Sequence, residues 1–244
     1  MSTLIAAIRS LLTYVAVSLY VVVMGPLFLL FAIATGRIMP LYRVALGGVR
    51  LGLWLSGITV TIRHGEHLQR NRPAVYAVNH ASNVEPPVLF FVMKDLFPRL
   101  RIVYKAELRK LPILVRAFDL AGFVPLERGN PEQSLPAIDR AAAALREGNS
   151  FLIFPEGTRS RTGELLPFKK GGFIMAMKAE APVVPVAIKG ARDAMKKGSL
   201  VIRPVRVTVS FGEPVPTQGL TLDDREALME RVRSAVADLL AEPA

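Results

Sequence analysis

The chain is organised around the segment Val78-Asn79-His80-Ala81-Ser82-Asn83-Val84-Glu85-Pro86. A β-type run, residues 74–78, leads into this segment, and an apolar, helix-like run, residues 87–93, leads out of it. His80 therefore stands at the end of a predicted strand, and Glu85 follows near a predicted helix start. An imidazole can take a proton from a hydroxyl near neutral pH, and a carboxylate on its other ring nitrogen would hold the tautomer. Taken alone, the pair fits a loop histidine and a dipole-favoured helix acid at least as well.

A second polar cluster, Phe154-Pro155-Glu156-Gly157-Thr158-Arg159-Ser160, also follows a β-type run, residues 150–153. Gly157 permits close backbone approach, Thr158 offers a hydroxyl, and Arg159 offers a forked donor for phosphate oxygens. The cluster therefore predicts a phosphate-binding loop. By residue type alone, Glu156 is expected to order this loop rather than to do chemistry.

Together the two clusters resemble the 1-acyl-sn-glycerol-3-phosphate acyltransferase (lysophosphatidic acid acyltransferase) family. That family carries four marks: an Asn-His with an acid five positions after the His, a Gly…Arg block, Phe-Pro-Glu-Gly-Thr-Arg, and a Val-Pro-Val block. All four occur here in the same order, at residues 79–85, 122–128, 154–159 and 184–186. The resemblance covers roughly residues 58–215. One departure is that the family's motif acid is usually Asp, whereas Glu85 is one methylene longer and requires a backbone set farther back.

The resemblance implies a fold, a reaction and a set of site residues. The fold is α/β, with a mixed, largely parallel sheet flanked by helices. The reaction moves a fatty acyl group from an acyl thioester, on coenzyme A or acyl carrier protein, to the free sn-2 hydroxyl of lysophosphatidic acid, giving phosphatidic acid. No cofactor and no metal is implied. The implied catalytic residues are His80 and Glu85, and the implied substrate-binding residues are Lys105, Arg128, Glu156, Gly157, Thr158 and Arg159.

The amino-acid composition indicates which class of molecule the protein binds. The chain has 244 residues, enough for one large α/β domain, or for one domain with an appendage. A formal net charge of +11 favours an anionic partner, and a hydrophobic content of 51% favours lipid over nucleic acid. Since the chain has no cysteine, a thiol nucleophile and a Cys-ligated zinc are excluded.

The N-terminal region predicts membrane association. Residues 10–36 contain no charged side chain, and Gly25-Pro26 lies near the middle of this run. The run is therefore either a kinked spanning helix or a bent helix that enters one leaflet. Residues 41–57 carry Arg43, Arg50 and Trp54, which indicates an interfacial amphipathic helix or a helix packed on the core. We expect membrane-associating helices over residues 1–57 and a catalytic domain over residues 58–244, at the cytoplasmic face of the cytoplasmic membrane.

Two further elements are predicted towards the C-terminus. Residues 201–211 alternate as one long strand, which Pro204 could break. Residues 223–240 form an amphipathic helix capped by Thr221, and its apolar stripe consists of Leu228, Val232, Val236 and Leu239. The alternation of strands and helices along the chain favours one layered α/β domain.

Three other functions remain open at this point. One is acyl transfer to a different lysolipid, since the Asn83-Val84 pair inside the first motif is smaller than is usual in the family. The others are a membrane-associated thioesterase, with water as the acceptor, and a non-catalytic lipid-binding protein. Arg128 and Arg159 speak against a thioesterase and against an acceptor without phosphate, because neither needs cationic phosphate ligands.

Overall fold

Two long helices precede a seven-stranded sheet in the computed structural model, which describes residues 3–110, 112–126 and 131–243. Helix α1 spans Thr3–Thr35 and continues through Pro26, and helix α2 spans Met39–Ser56. Among the described residues, one helical segment, Leu4–Thr35, is long and apolar enough to cross a membrane by length and composition. Gly57 ends α2 in the left-handed conformation, at φ 70°, which glycine adopts without a steric penalty.

The sheet is mixed and largely parallel, as the resemblance implies. Its strand order is β1-β7-β6-β2-β5-β3-β4, and the antiparallel pair is β6 with β7. The carboxyl ends of β2 to β6 therefore meet at one edge of the sheet. The strands are β1 Thr59–Arg63, β2 Val75–Val78, β3 Leu100–Lys105, β4 Val124–Leu126, β5 Ser150–Ile153, β6 Val183–Lys189 and β7 Arg206–Phe211. The remaining helices are α3 Glu85–Val92, α4 Pro112–Leu120, α5 Pro131–Arg146, α6 Gly171–Lys178, α7 Ala191–Ala194 and α8 Arg225–Ala241.

Both faces of the central strands are buried. Tyr76 and Val78 of β2 face a core completed by α2 and α3, whereas Val75 and Ala77 face a core completed by α5, α6 and α8. This period of two places successive side chains in opposite cores, which explains why these strands read as continuous apolar runs. The apolar stripe predicted for α8 is confirmed, since its four members are buried.

The long strand predicted over residues 201–211 is wrong in its first half. Strand β7 begins at Arg206, and residues 201–205 carry no strand structure. Pro204 has no backbone N–H to give to a neighbouring strand, so the ladder can start only after it. No sequence pattern predicts the three-residue strand β4, because so short a run at the sheet edge is too brief to show alternation.

Helices α1 and α2 form a hairpin, and α2 packs along the globular part. Close to the turn, the buried Tyr42 stacks on Phe97 with ring centroids 4.6 Å apart, and Leu53 at the other end of α2 belongs to the core. Near its base, Arg9 Nε donates to the carbonyl of Leu55 at 2.5 Å, and Ser10 Oγ accepts the N–H of Ile202 at 2.8 Å. Farther along, Tyr20 Oη donates to the carbonyl of Val44 at 3.0 Å. The turn at residues 36–38 joins the two helices at the far end of the hairpin.

Candidate active site

The loop after β2 is tied down by buried hydrogen bonds. Asn79 Oδ1 accepts the N–H of Ile188 at 2.7 Å, and Asn79 Nδ2 donates to the carbonyl of the same residue at 3.2 Å. Ser82, which is fully buried, donates from Oγ to the carbonyl of Met195 at 2.8 Å and accepts the N–H of Val84 at 3.2 Å. These contacts anchor the loop to β6 and to the segment after α7, so the residues between Asn79 and Val84 have a defined path.

That path brings His80 and Glu85 together. His80 Nδ1 lies 2.6 Å from Glu85 Oε2, and Glu85 Oε1 accepts the N–H groups of Ala81 at 2.8 Å and Ser82 at 2.9 Å. Glu85 is the first residue of α3, where the helix dipole favours a negative charge. Its side chain is 0% exposed, and this burial raises the pKa of the carboxyl above its ordinary value, while the bonds from His80, Ala81 and Ser82 act in the opposite direction.

The hydrogen bond to Glu85 assigns the tautomer of His80. With the proton on Nδ1, the Nε2 lone pair is available as a base. No polar atom of the described residues is hydrogen-bonded to Nε2, and the imidazole keeps 18% of its surface exposed. A base with one nitrogen held by a carboxylate and the other open is the arrangement needed for general base catalysis.

The loop after β5 packs directly on His80. The Phe154 ring is stacked on the imidazole, with centroids 4.1 Å apart and planes at 24°. The N–H of Ser160 donates to the His80 carbonyl at 2.7 Å, and the N–H of His80 donates to Glu156 Oε1, also at 2.7 Å. The two sequence motifs therefore form one site at the carboxyl edge of the sheet.

Cations surround the turn of this second loop. Gly157 has φ 68°, and a Cβ there would lie 2.8 Å from Cε of Lys169. Lys197 Nζ donates to the carbonyl of Arg159 at 2.8 Å and lies 3.5 Å from Thr158 Oγ1. Within the described ranges, no carboxylate lies within 4 Å of the cationic nitrogens of Arg159, Lys169 or Lys197. The turn is thus suited to an anion.

Two of the residues expected at the site lie partly or wholly outside the described residues. Lys105 ends β3 at the same edge of the sheet, but its side chain lies outside the described residues. Arg128 also lies outside them. Of the side chains that are described, none belongs to a group of three or more His, Cys, Asp or Glu residues that could hold a metal ion.

Sequence reasoning missed three contributors to the site. Asn79 and Phe154 lie inside the two sequence motifs, but the motifs do not predict their contacts. Asn79 bonds the backbone of Ile188, and Phe154 stacks on His80. Lys197 lies 38 residues from Arg159 along the chain, in a segment that carries no recognisable pattern. Only the folded chain brings it to the loop.

An apolar cavity of about 690 Å³ adjoins the site. It lies between the α1–α2 hairpin and the helices on the sheet, and Asn83 and Val84, just before Glu85, form part of its wall. Its other walls include Val17 of α1, Val49 of α2 and Phe118 of α4. The volume is in the range of ordinary small-molecule sites.

Comparison with known proteins identifies the family. A family model described as acyltransferase matches residues 59–189. A 1-acyl-sn-glycerol-3-phosphate acyltransferase of Limnanthes douglasii is 36% identical over 209 residues, which cover 80% of this chain and 72% of that protein. The alpha enzyme of Homo sapiens with the same name is 32% identical over 190 residues, covering 78% of this chain and 66% of that protein.

A solved structure agrees with these relatives. The crystal structure of the 1-acyl-sn-glycerophosphate (LPA) acyltransferase PlsC from Thermotoga maritima matches with a TM-score of 0.80 and 25% identity, covering 100% of both chains. The matched region of the family model contains both motifs that meet at His80. The chain therefore belongs to the acyltransferase family that includes these 1-acyl-sn-glycerol-3-phosphate acyltransferases.

Proposed function

We propose that the protein transfers a fatty acyl group from an acyl thioester to the sn-2 hydroxyl of lysophosphatidic acid, giving phosphatidic acid. The observation that carries this proposal is the 2.6 Å contact between His80 Nδ1 and Glu85 Oε2, made beside an anion-suited turn. The names of the relatives give the acceptor. The donor is a thioester of coenzyme A or of acyl carrier protein.

In this mechanism, His80 is the general base. Its Nε2 removes the proton of the acceptor hydroxyl while the oxygen attacks the thioester carbonyl, and Glu85 stabilises the imidazolium that forms. The tetrahedral intermediate then collapses, the C–S bond breaks, and the Nε2 proton goes to the departing thiolate. The acyl group becomes an ester on the acceptor, and the carrier leaves as a thiol.

Direct transfer is favoured over an acyl-enzyme. The chain has no cysteine, and the hydroxyl of Ser82 is fully buried, with Oγ already bonded to Met195 and Val84. A nucleophile needs an adjacent base and access to the carbonyl. Ser82 has no such access, so the acceptor hydroxyl itself is the nucleophile.

The acceptor phosphate is assigned to the second loop. Gly157 allows close approach of the backbone, Thr158 offers a hydroxyl, and Arg159 offers a guanidinium that can bind two phosphate oxygens. Lys105 and Arg128 are proposed to complete this site, as the family resemblance implies. A phosphate held at the turn would place the neighbouring glycerol hydroxyl near His80, because the Ser160 N–H bonds the His80 carbonyl.

The cavity and the hairpin are assigned to the lipid part of the reaction. The apolar cavity would bind an acyl chain. Asn83 and Val84 would line the end of the cavity that lies next to the His80–Glu85 dyad. Trp54 is 74% exposed on α2, and large apolar side chains are exposed along α1, which supports association of residues 1–57 with lipid through α1 and the exposed face of α2. The opposite face of α2 is buried against the protein. Since α2 packs on the globular part both near the turn, through Tyr42, and near its end, through Leu53, we propose that the hairpin inserts from one side, with the catalytic domain, residues 58–244, at the cytoplasmic face of the cytoplasmic membrane.

The test is acyl transfer by the purified full chain in liposomes, with acyl-coenzyme A and acyl carrier protein thioesters offered in parallel to lysophosphatidic acid. We expect phosphatidic acid from the wild type and a loss of at least ~10²-fold for His80→Ala, because the general base is gone. His64→Ala is the matched control, since His64 is an exposed histidine on the segment after β1. It should keep wild-type activity.

Three outcomes would redirect the proposal. If the wild type hydrolyses the thioester but forms no phosphatidic acid, the protein is a thioesterase. If it acylates only a lysolipid without phosphate, the reaction class stands and the acceptor is wrong. If His80→Ala matches the wild type, the base has been misassigned.

A further inference from the structure

Three groups of the second motif hold His80. Glu156 accepts the backbone N–H of His80, Ser160 donates its own N–H to the His80 carbonyl, and Phe154 stacks on the imidazole. These contacts thus bind the backbone N–H and the carbonyl of His80 as well as its imidazole ring. Glu85, the fourth contact, comes from the first motif.

Glu156 is placed to hold the backbone rather than a ligand. It is only 3% exposed, and both carboxylate oxygens are occupied: Oε1 accepts the His80 N–H at 2.7 Å, and Oε2 accepts the Leu166 N–H at 3.0 Å. Burial raises the pKa of this carboxyl, while the two backbone bonds act in the opposite direction. A buried acid with both oxygens used is a poor partner for an anionic phosphate, which it would repel.

We propose that Glu156 is a positioning residue for the catalytic base, and that with Phe154 and Ser160 it forms a socket for His80. The socket fixes the start of the loop that carries the dyad, so that Nδ1 meets Glu85 and Nε2 faces the acceptor. A general base must lie within hydrogen-bond reach of the proton it removes, and small displacements lower the rate strongly. This inference rests on the proposed role of His80, and it separates Glu156 from the neighbouring residues that bind substrate.

The socket also explains how two distant segments of chain act together. Strand β2 ends at Val78, so the backbone N–H and carbonyl of His80 lie beyond its ladder of hydrogen bonds. They bond instead to Glu156 and Ser160. The Glu156 side chain reaches across from the neighbouring loop and connects His80 to Leu166, ten residues farther along its own loop. Removing that connection should loosen the orientation of His80 without emptying the phosphate site.

The experiment compares Glu156→Gln with Glu164→Gln in the acyl-transfer assay. Both variants replace a carboxylate by an amide on the same loop, but Glu164 is exposed. Glutamine has one acceptor oxygen, so its NH₂ must face one of the two backbone N–H donors, and one bond is lost. For Glu156→Gln we expect kcat to fall by roughly 10- to 100-fold and KM for lysophosphatidic acid to stay within about twofold. Glu164→Gln should behave as the wild type.

A second readout separates positioning from general destabilisation. The Glu156 carboxylate interacts electrostatically with His80, and the amide does not, so the acid limb of the kcat–pH profile should move to lower pH in Glu156→Gln. If this variant does not fold, Phe154→Leu decides the question. Phe154 is partly buried against the core, and leucine keeps an apolar side chain there while it removes the aromatic stacking on His80, so kcat should fall several-fold at unchanged KM.

The inference is overturned if Glu156→Gln raises KM for lysophosphatidic acid with kcat unchanged, which is the signature of a substrate ligand. It is also overturned if Glu156→Gln has the kcat, KM and pH profile of the wild type. If Glu156→Gln does not fold, the inference is overturned when the folded Phe154→Leu protein keeps the wild-type kcat. Failure of the proposed function looks different: the wild type itself forms no phosphatidic acid, or His80→Ala retains full activity.

Discussion

Replacing Glu85 by aspartate should impair this protein, although aspartate is the usual acid of the family motif. Glu85 reaches His80 Nδ1 at 2.6 Å and accepts two backbone N–H groups with its other oxygen. Aspartate is shorter by one C–C bond, about 1.5 Å. From the first position of α3, its carboxylate would stand roughly 4 Å from Nδ1, beyond hydrogen-bond range. The first motif is therefore built for the longer acid.

The size of the effect follows from the bond that is lost. A hydrogen bond to a charged group contributes about 1.5–3 kcal/mol, which corresponds to roughly 10- to 150-fold in kcat if the bond is needed to orient His80. Glu85→Gln should be worse, because its NH₂ would donate to Nδ1 and move the imidazole proton to Nε2. A base in the wrong tautomer loses roughly 10³- to 10⁴-fold. The expected order is wild type, then Glu85→Asp, then Glu85→Gln.

The assay can be continuous. Transfer from acyl-coenzyme A releases a thiol, and since the chain has no cysteine, a thiol-specific reagent reports product without background from the protein. Initial rates in liposomes at saturating lysophosphatidic acid give kcat for the three proteins. A Glu85→Asp variant as active as the wild type would refute the argument from reach, and a Glu85→Gln variant more active than Glu85→Asp would refute the argument from the tautomer.

Two predictions concern stability. Asn79→Ala removes both hydrogen bonds to the backbone of Ile188. The free energy of unfolding, measured with denaturant, should fall by about 1–3 kcal/mol for each buried backbone group left unpaired. A decrease below about 0.5 kcal/mol would contradict the anchoring role. Burial raises the pKa of the Glu156 carboxyl above its ordinary value of 4.5, so the folded protein binds this proton more tightly than the unfolded chain does. The stability that this group contributes is present below pH 4.5 and is lost as the pH rises through the raised pKa. The unfolding free energy of the wild type minus that of Glu156→Gln should therefore decrease from acid to neutral pH, and an increase would contradict the sign.

The fold class could be predicted because it depends on local patterns. Each motif follows an apolar run of strand type, and strands alternate with helices, which favours one layered α/β domain, and the family resemblance implies a largely parallel sheet. The α8 stripe was readable because its period is local as well. The sequence alone therefore predicts that His80 and Glu85 are neighbours, and the structure shows their contact.

The remaining features depend on contacts between distant parts of the chain. The strand order, with β7 between β1 and β6, is set by long-range packing and has no mark in any segment. The Lys197 contact with the Arg159 carbonyl and the Asn79 contact with Ile188 are of the same kind. The role of Glu156 was partly readable, since its residue type favoured ordering over chemistry, but the group that it orders lies in the other motif.

The position of His80 suits a reaction between a charged head and an apolar chain. On one side, the loop that carries the dyad runs through Asn83 and Val84 into the wall of the apolar cavity. On the other side, Ser160 joins His80 to a turn surrounded by cationic side chains. In the proposed reaction, the attacking hydroxyl lies next to a phosphate, and the attacked carbonyl ends an acyl chain. A base placed deeper in the cavity would require the phosphate to lose its hydration, and a base placed farther out would leave the acyl chain in water. In the proposed reaction, the dyad lies at the boundary between these two environments, so we expect neither penalty.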